Sequence, residues 1–335
     1  MQHEAMLYDK LKDNKVQCHL CAHECKINFG QFGVCGVRSN RGGALYTLVY
    51  NETIASHIDP IEKKPLYHFY PGSDSYSIAT VGCNFKCSFC QNWQISQSNK
   101  KKGSHLSGIT MPPEEIVRSA KKSKCKSIAY TYTEPTIFFE YAYDIAKLAK
   151  TEGIANVFVT NGFMTKDALE MINPYLDAAN VDLKSFSNEF YKKICGGKLH
   201  PVLDSIKLMK ELGIWVEVTT LVVPDLNDSD NELNKIAKFI ASVGKDIPWH
   251  ISRYHPDYKH KTSPSTPIET MRKAEKLGKK HGLQYIYLGN VHEGLHTKCH
   301  NCGELLIVRE YMGLSKLDVK DGKCPICKTA VGGVF

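Results

Sequence analysis

Residues 76–93 read YSIATVGCNFKCSFCQNW. A β-branched run ends at Val81, and three cysteines follow, Cys83, Cys87 and Cys90, spaced C-x3-C-x2-C. The run predicts a strand, and the thiols stand in the loop that follows it. In parallel sheets the carboxyl ends of the strands carry the chemistry. Structural metal sites generally use four protein ligands, and this loop offers three. Three thiolates on a cubane [4Fe–4S] cluster leave one iron open to a small molecule that binds through nitrogen and oxygen. A zinc knuckle completed by a distant histidine is the competing reading.

Outward from this loop the chain alternates. YSIATV (76–81), SIAYTYT (127–133), ANVFVT (155–160), AANVDL (178–183), WVEVTTLVV (215–223), WHIS (249–252) and LQYIYLG (283–289) read as strands. Amphipathic helical stretches lie between them, among them MPPEEIVRSA, IFFEYAYDIAKLAKTEG, PVLDSIKLMKELG, DNELNKIAKFIASVG and ETMRKAEKLGKKHG. Such alternation predicts an α/β fold with βαβ units and a mainly parallel sheet, about six units closing into a barrel or an open, barrel-like sheet. Polar candidates gather at one predicted rim: Cys83, then Glu134, then Thr160 with Asn161 and Gly162, then Asp182 with Lys184, then His255. Three regions follow: a cysteine-rich, β-containing segment over 1–75, the core over 76–292 and a four-cysteine module over 293–335.

Composition places the chain among globular proteins, with 42% hydrophobic and 23% charged residues in 335. The opening MQHEAMLYDKLKDNK lacks the apolar core of a signal peptide, and no run of about 18 apolar residues predicts a membrane span. A cytoplasmic location is the expectation. A net charge of +8 permits an anionic substrate without demanding one. The lysine-rich runs NKKKG (99–103) and AKKSKCK (120–126) read as solvated faces. Thirteen cysteines form an odd set in uneven clusters, which argues for metal rather than disulfides.

The C-x3-C-x2-C spacing, with Phe89 before the last cysteine, resembles the signature of radical S-adenosylmethionine (SAM) enzymes. The resemblance implies a partial (β/α)6 barrel and a [4Fe–4S] cluster on Cys83, Cys87 and Cys90. It also implies SAM chelated at the open iron and a one-electron reductant of ferredoxin or flavodoxin type. SAM is then cleaved to a 5′-deoxyadenosyl radical that takes hydrogen from a substrate. YTYTEPT (130–136) resembles the family's second-strand motif, which implies that Glu134 receives the SAM amino group. VTNGF (159–163) and VDLK (181–184) resemble motifs of the glycyl-radical activating enzymes. They imply that Thr160 and Asn161 lie beside SAM's methionine carboxylate or ribose and that Asp182 and Lys184 hold its polar groups. SRYHPD (252–257) resembles the same branch's late YH motif, which implies His255 over the cofactor, with a core or surface histidine as the alternative. A plain Asn-Gly turn and a structural ion pair are the alternatives at these motifs. Activators of pyruvate formate-lyase have an acid before Thr-Asn-Gly; here Val159 stands there. Over nearly its full length the chain resembles the radical SAM protein of the AmmeMemoRadiSam group. CHLCAHECKINFGQFGVCGVRSN (18–40) and DPIEKKPLYHFYPGS (59–73) carry that likeness. It implies Memo-like and AMMECR-type partners.

Two further groups remain. Cys299, Cys302, Cys324 and Cys327 form C-x2-C-x21-C-x2-C, two knuckles of a zinc-ribbon-like tail. A rubredoxin-type iron site is the alternative. Cys18, Cys21, Cys25 and Cys35, with His19 and His23 interleaved, suit zinc or an auxiliary iron–sulfur cluster. Lys63, Lys64 and His68 are candidates for an anionic substrate or for a solvated loop. Cys125 reads as an ordinary thiol, and Cys195 as one that can approach the barrel mouth. A zinc-containing nucleic-acid-binding protein is the reading from another class, but its basic residues are dispersed and it leaves the three-cysteine loop unused.

Overall fold

The computed structural model describes residues 3–98, 108–310 and 313–335. The lysine run 99–103 lies outside them. An eight-stranded sheet forms the core. In chain order its strands and flanking helices are β1 (Ala55–Pro60), β2 (Asp74–Ala79), α1 (Pro113–Lys122), β3 (Ser127–Tyr130), α2 (Phe139–Thr151), β4 (Ala155–Thr160), α3 (Lys166–Ile172), β5 (Ala178–Asp182), α4 (Leu199–Glu211), β6 (Trp215–Val222), α5 (Asp230–Val243), β7 (Trp249–Arg253), α6 (Ile268–Lys280) and β8 (Ile286–Gly289). Strands β2 to β8 lie side by side in sequence order, all parallel, joined by six crossovers. Strand β1 adds an antiparallel edge beside β2. Its residues ASHIDP are more polar than the central strands, as an edge strand tolerates. The sequence reading places them in the N-terminal segment.

The helices start where local chemistry lets them. Helix α1 opens on Pro112 and Pro113 with Glu114 and Glu115 at the positive end of its dipole, and closes on Lys121 and Lys122. The hydroxyls of Thr165 and Ser229 cap α3 and α5.

Side chains alternate across each strand, and the two faces differ. Ile128, Tyr130, Phe158, Val181, Val218 and Ile251 are buried in the main apolar core that also takes up the helices. The concave face carries Ala129, Val157, Ala178, Asn180, Glu217 and His250, and nearer the carboxyl ends Val159, Asp182, Thr219, Leu221 and Ser252. Its lower part is filled by the chain between β1 and β2. Leu66 and Phe69 cluster with Ala129, Val157 and Ala178. The carbonyl of Pro65 accepts from Asn180 Nδ2 at 2.8 Å. The carboxylate of Glu217 accepts from the amides of Tyr67 and His68 at 3.0 and 2.7 Å. This plug leaves the carboxyl end of the barrel open.

Against the plug sits the C-terminal module, a three-stranded antiparallel sheet of Thr297–Lys298, Leu305–Glu310 and Gly313–Leu317. It shares a small core with Tyr285 and Tyr287 at the last barrel strand. His68 is corrected from a substrate contact to a strut. It is wholly buried, with Nδ1 2.6 Å from the Gly332 carbonyl and Nε2 2.6 Å from the Tyr287 hydroxyl. A carbonyl only accepts, so Nδ1 carries the proton and Tyr287 donates to Nε2. Burial pushes the His68 pKa down to about 4.

Candidate functional site

The open end holds a cavity of about 480 Å³, lined by the loop after β2, the turn after β3 and the carboxyl ends of β4 to β7. Cys83, Cys87, Cys90 and Phe89 reach it from one side. Main-chain bonds set that loop: Gly82 donates to Ile95 at 2.9 Å and Lys86 to the carbonyl of Cys195 at 2.7 Å. The Phe85 amide donates to Cys83 Sγ at 3.3 Å, and Ser96 Oγ stands 3.3 Å from Cys90 Sγ. Cys195 is buried with its thiol on Cys87, which raises the Cys87 pKa first, with burial adding to it. Cys125 is buried away from the cavity, and burial pushes it up to about 11.

Glu134 enters the cavity floor. It is an N-cap, accepting at Oε1 from the amide and hydroxyl of Thr136 at 3.1 and 2.6 Å, and Pro135 follows where no amide is needed. Thr160 Oγ1 donates to the same oxygen at 2.7 Å, and the Asn161 amide to Oε2 at 2.8 Å. All four donors are neutral. Burial raises the pKa of Glu134 despite them. Thr160 and Asn161 therefore orient Glu134, and Asn161 Nδ2 also donates to Asn84 Oδ1 at 2.7 Å in the cysteine loop. The tight turn needs Gly162: φ is +69°, and a Cβ would sit 2.8 Å from Val181.

Asp182 and Lys184 form an ion pair at 2.8 Å and both line the cavity. Burial works against the Lys184 ammonium, but Asp182 and the Cys87 and Cys195 thiols outweigh it and raise its pKa. The structure does not bring His255 to the cavity. After β7 the buried position goes to Tyr254, whose amide bonds Thr266 Oγ1, so His255 is exposed and stands at the rim, 3.1 Å from Nε2 of the cavity-lining Gln91.

Lys63 and Lys64 line the same cavity and converge on Asp59, at 2.7 and 2.6 Å. Sequence reasoning quoted Asp59 without giving it a role, and missed Tyr132. The Tyr132 hydroxyl donates to Asp59, and Lys64 Nζ lies 4.5 Å from its ring centroid. Tyr132 holds a left-handed backbone, φ +61°, and its carbonyl accepts from Asn92 Nδ2 at 2.8 Å. The signal was the i, i+4 and i, i+5 spacing of Asp59, Lys63 and Lys64. Burial brings the Lys64 pKa down to about 8. Burial opposes ionisation of Asp59, but hydrogen bonds from Lys63, Lys64 and Tyr132 depress its pKa.

In the tail, the sulfurs of Cys299, Cys302, Cys324 and Cys327 lie within 4.8 Å of one another, the pairs 299–327 and 302–324 at 3.5 and 3.7 Å. Tetrahedral ligation with bonds of about 2.3 Å puts thiolates roughly 3.8 Å apart, so this quartet could hold a single metal ion. Cys18, Cys21, Cys25 and Cys35 line a separate, small cavity behind the three-cysteine loop.

With this geometry the comparisons become specific. The family described as the radical SAM superfamily matches residues 77–240. A protein of Methanocaldococcus jannaschii is 47% identical over 329 residues, 97% of each chain. The chain belongs to the radical SAM superfamily. The pyruvate formate-lyase-activating enzyme of Clostridium pasteurianum is 25% identical, over 62% of this chain and 92% of its own. A radical SAM methyltransferase from Sphaerobacter thermophilus shares the fold at a TM-score of 0.51 and 15% identity, over 66% of this chain and 67% of its own. The protein is an enzyme of this superfamily, whose members generally use a [4Fe–4S] cluster and SAM. Among the described residues no helix is long and apolar enough to cross a membrane.

Proposed function

We propose that this enzyme splits SAM reductively at a cluster held by Cys83, Cys87 and Cys90, and takes hydrogen from a substrate bearing an anionic group. The observation that carries the reading is convergence: three thiols, Glu134 and the Asp182–Lys184 pair face one cavity. The donor set fits the group, since three thiols sit on one tight loop and the Phe85 amide already donates to sulfur. A bound [4Fe–4S] cluster supplies the electron that cleaves SAM to methionine and a 5′-deoxyadenosyl radical. Glu134 is a desolvated carboxylate with neutral donors, so an ammonium on the ligand completes its charge. Lys184 is held charged and suits the ligand carboxylate. At the other wall two ammonium groups share the single carboxylate of Asp59, and the surplus positive charge suits an anionic substrate. A reductant of ferredoxin or flavodoxin type belongs to this reading, and the AmmeMemoRadiSam likeness adds Memo-like and AMMECR-type partners and a cytoplasmic setting.

The test is anaerobic reconstitution with iron and sulfide, reduction with dithionite, and measurement of 5′-deoxyadenosine. Its formation supports the reading, and a fully loaded protein that forms none overturns it. Glu134→Gln is expected to weaken SAM binding about 10- to 100-fold at unchanged iron content, the worth of a charged hydrogen bond of about 1.5–3 kcal/mol. Calorimetric titration reads it. A second reading, activation of a glycyl-radical enzyme, is favoured by the name of the Clostridium relative. Against it stands Val159, which lines the cavity where those activators carry an acid.

The tail quartet is proposed to hold structural zinc. The Thr329 hydroxyl and amide hold the Cys327 thiol well below its ordinary range, ready to ligate. Cys299→Ser with Cys327→Ser should remove one zinc per chain and lower the melting temperature, with loop-bound iron unchanged. Elemental analysis with a thermal melt checks this.

A further inference from the structure

We infer that Cys18, Cys21, Cys25 and Cys35 hold a second iron–sulfur cluster, ligated entirely by thiolate, against the back of the loop that carries Cys83, Cys87 and Cys90. The small sheet of Tyr8–Lys10, Val16–Cys18 and Lys26–Ile27 sets Cys18 beside Cys25, the Cys18 amide donating to the Cys25 carbonyl at 2.9 Å. A turn in which Gly36 donates to Gly33 at 2.9 Å brings Cys35 back to them. None of the four is in a disulfide, and they line one small, largely apolar cavity.

Several features mark these thiols as ligands. Backbone amides are aimed at the sulfurs: His23 at Cys21, Val34 at Cys25 and Val37 at Cys35. An amide two residues beyond the thiol serves Cys21 and Cys35, and does the same at Cys83 in the cavity loop and Cys302 in the tail. Arg38 points the same way from an independent side. It is 2% exposed and lines the cavity, with Nη2 bonded to Glu140 at 2.7 Å and to the Met6 carbonyl at 2.6 Å. Its Nε and Nη1 are buried without a hydrogen-bond partner. A guanidinium with two unmet donors beside four neutral thiols is costly; beside four metal-bound thiolates its donors face negative charge. The histidines are engaged elsewhere, His19 Nε2 with Asp9 at 3.0 Å and His23 Nε2 with the Asn84 carbonyl at 2.8 Å. The four cysteines are therefore the donor set.

Spacing selects the metal. Among the described residues the tail quartet is the one group of thiols drawn within 4.8 Å of one another. No three of the N-terminal four are drawn that close, nor are Cys83, Cys87 and Cys90. Thiolates on one zinc ion need the tail's spacing, whereas thiolates on the corners of a cluster need the wider one. That last comparison rests on the proposed role of the cavity loop.

The site lies directly behind that loop. Gly82, one residue before Cys83, has φ +100°, and a Cβ there would meet Val37 at 2.8 Å and the Cys35 carbonyl at 3.2 Å. His23 bonds the carbonyl of Asn84, one residue after Cys83, and Cys21 forms a bridge to Met164 beyond β4. Four thiolates leave no open iron, so this cluster does not bind SAM.

Reconstituted full-length protein is expected to carry about eight irons and eight sulfides per chain, four for each cluster. The Cys83/Cys87/Cys90→Ala protein, whose N-terminal group is untouched, should keep about half of the iron and show a reduced-cluster electron paramagnetic resonance signal that added SAM does not alter. Fully reduced wild type should show a broadened signal from two clusters in close contact, and that variant a simple one. Loss of all bound iron in the triple variant, or one zinc in place of iron at the N-terminal group, overturns the inference and leaves SAM cleavage standing. A variant that keeps its cluster beside a wild type that forms no 5′-deoxyadenosine sinks the proposed function and leaves this inference standing. Cys18→Ser with Cys35→Ser is the reciprocal check, with half of the iron lost and the SAM-sensitive signal retained.

Discussion

Alanine at Cys83, Cys87 and Cys90 together is expected to lower reductive SAM cleavage by at least about a thousandfold, to background, in a protein that stays folded. The size follows from the proposed role: thiols that tether the group supplying the electron form one catalytic unit, and its members fail together. Folding should survive because the loop is held by other atoms. The bonds from Gly82 to Ile95 and from Lys86 to Cys195 are main chain to main chain. Phe85 and Phe89 remain as buried anchors, 1% and 3% exposed. The measurement is 5′-deoxyadenosine formed under dithionite, beside a circular dichroism melt. Persistent cleavage in the folded variant would mean that another set of thiols carries the reaction.

Glu217→Ala is expected to cost roughly 3–5 kcal/mol of stability, read as a lower urea midpoint. The carboxylate is wholly buried at the base of the barrel. It accepts from the amides of Tyr67 and His68, from Trp215 Nε1 at 3.0 Å and from His250 Nε2 at 2.6 Å. Alanine leaves four donors without an acceptor, those of His68 and His250 fully buried, which is worse than never having buried them. Glu217→Gln should fall between, since its amide accepts at one atom only. A midpoint within about 0.5 kcal/mol of wild type would contradict the plug as a structural element. Acid should act in the same direction. Burial opposes ionisation of Glu217, but His250, with His68 and the Tyr67 amide, depresses its pKa, so its stabilisation is present at neutral pH and lost as pH falls through the folded value. His68, at about 4 when folded against 6.5 when unfolded, takes its proton more readily in the unfolded chain. Stability should therefore drop between about pH 6.5 and 4.

Legibility in the sequence followed the range of the interactions. Cys83, Cys87 and Cys90 stand within one loop, so their spacing alone showed that they share one end of the cavity. Each parallel strand was legible because burial on both faces leaves an apolar run, and the tail quartet because two knuckles are local motifs. The rim residues Glu134 and Asp182 were legible as strand ends, a matter of position along the chain. What Thr160 and Asn161 touch was not, because their acceptor is on the neighbouring strand's turn. His255 stands at the rim rather than in the cavity because alternation past a strand's end is set by the loop, and there Tyr254 is the buried residue.

The plug was invisible for the same reason. Asn180, Glu217 and His250 interrupt apolar strands, and periodicity reports that a face is buried without reporting against what. The partners of Asn180 and Glu217, the backbone of Pro65, Tyr67 and His68, lie more than a hundred residues away in sequence, and His250 is held in turn by Glu217. Buried backbone groups must be satisfied, so a chain segment threading the barrel demands polar residues from strands that would otherwise be apolar. Local spacing, a property of the sequence alone, placed the cysteine groups and the order of strands and helices. Which polar groups meet across the barrel, and how closely the N-terminal cysteines press against the three-cysteine loop, depended on long-range packing, because contacts between distant segments leave no period in the chain.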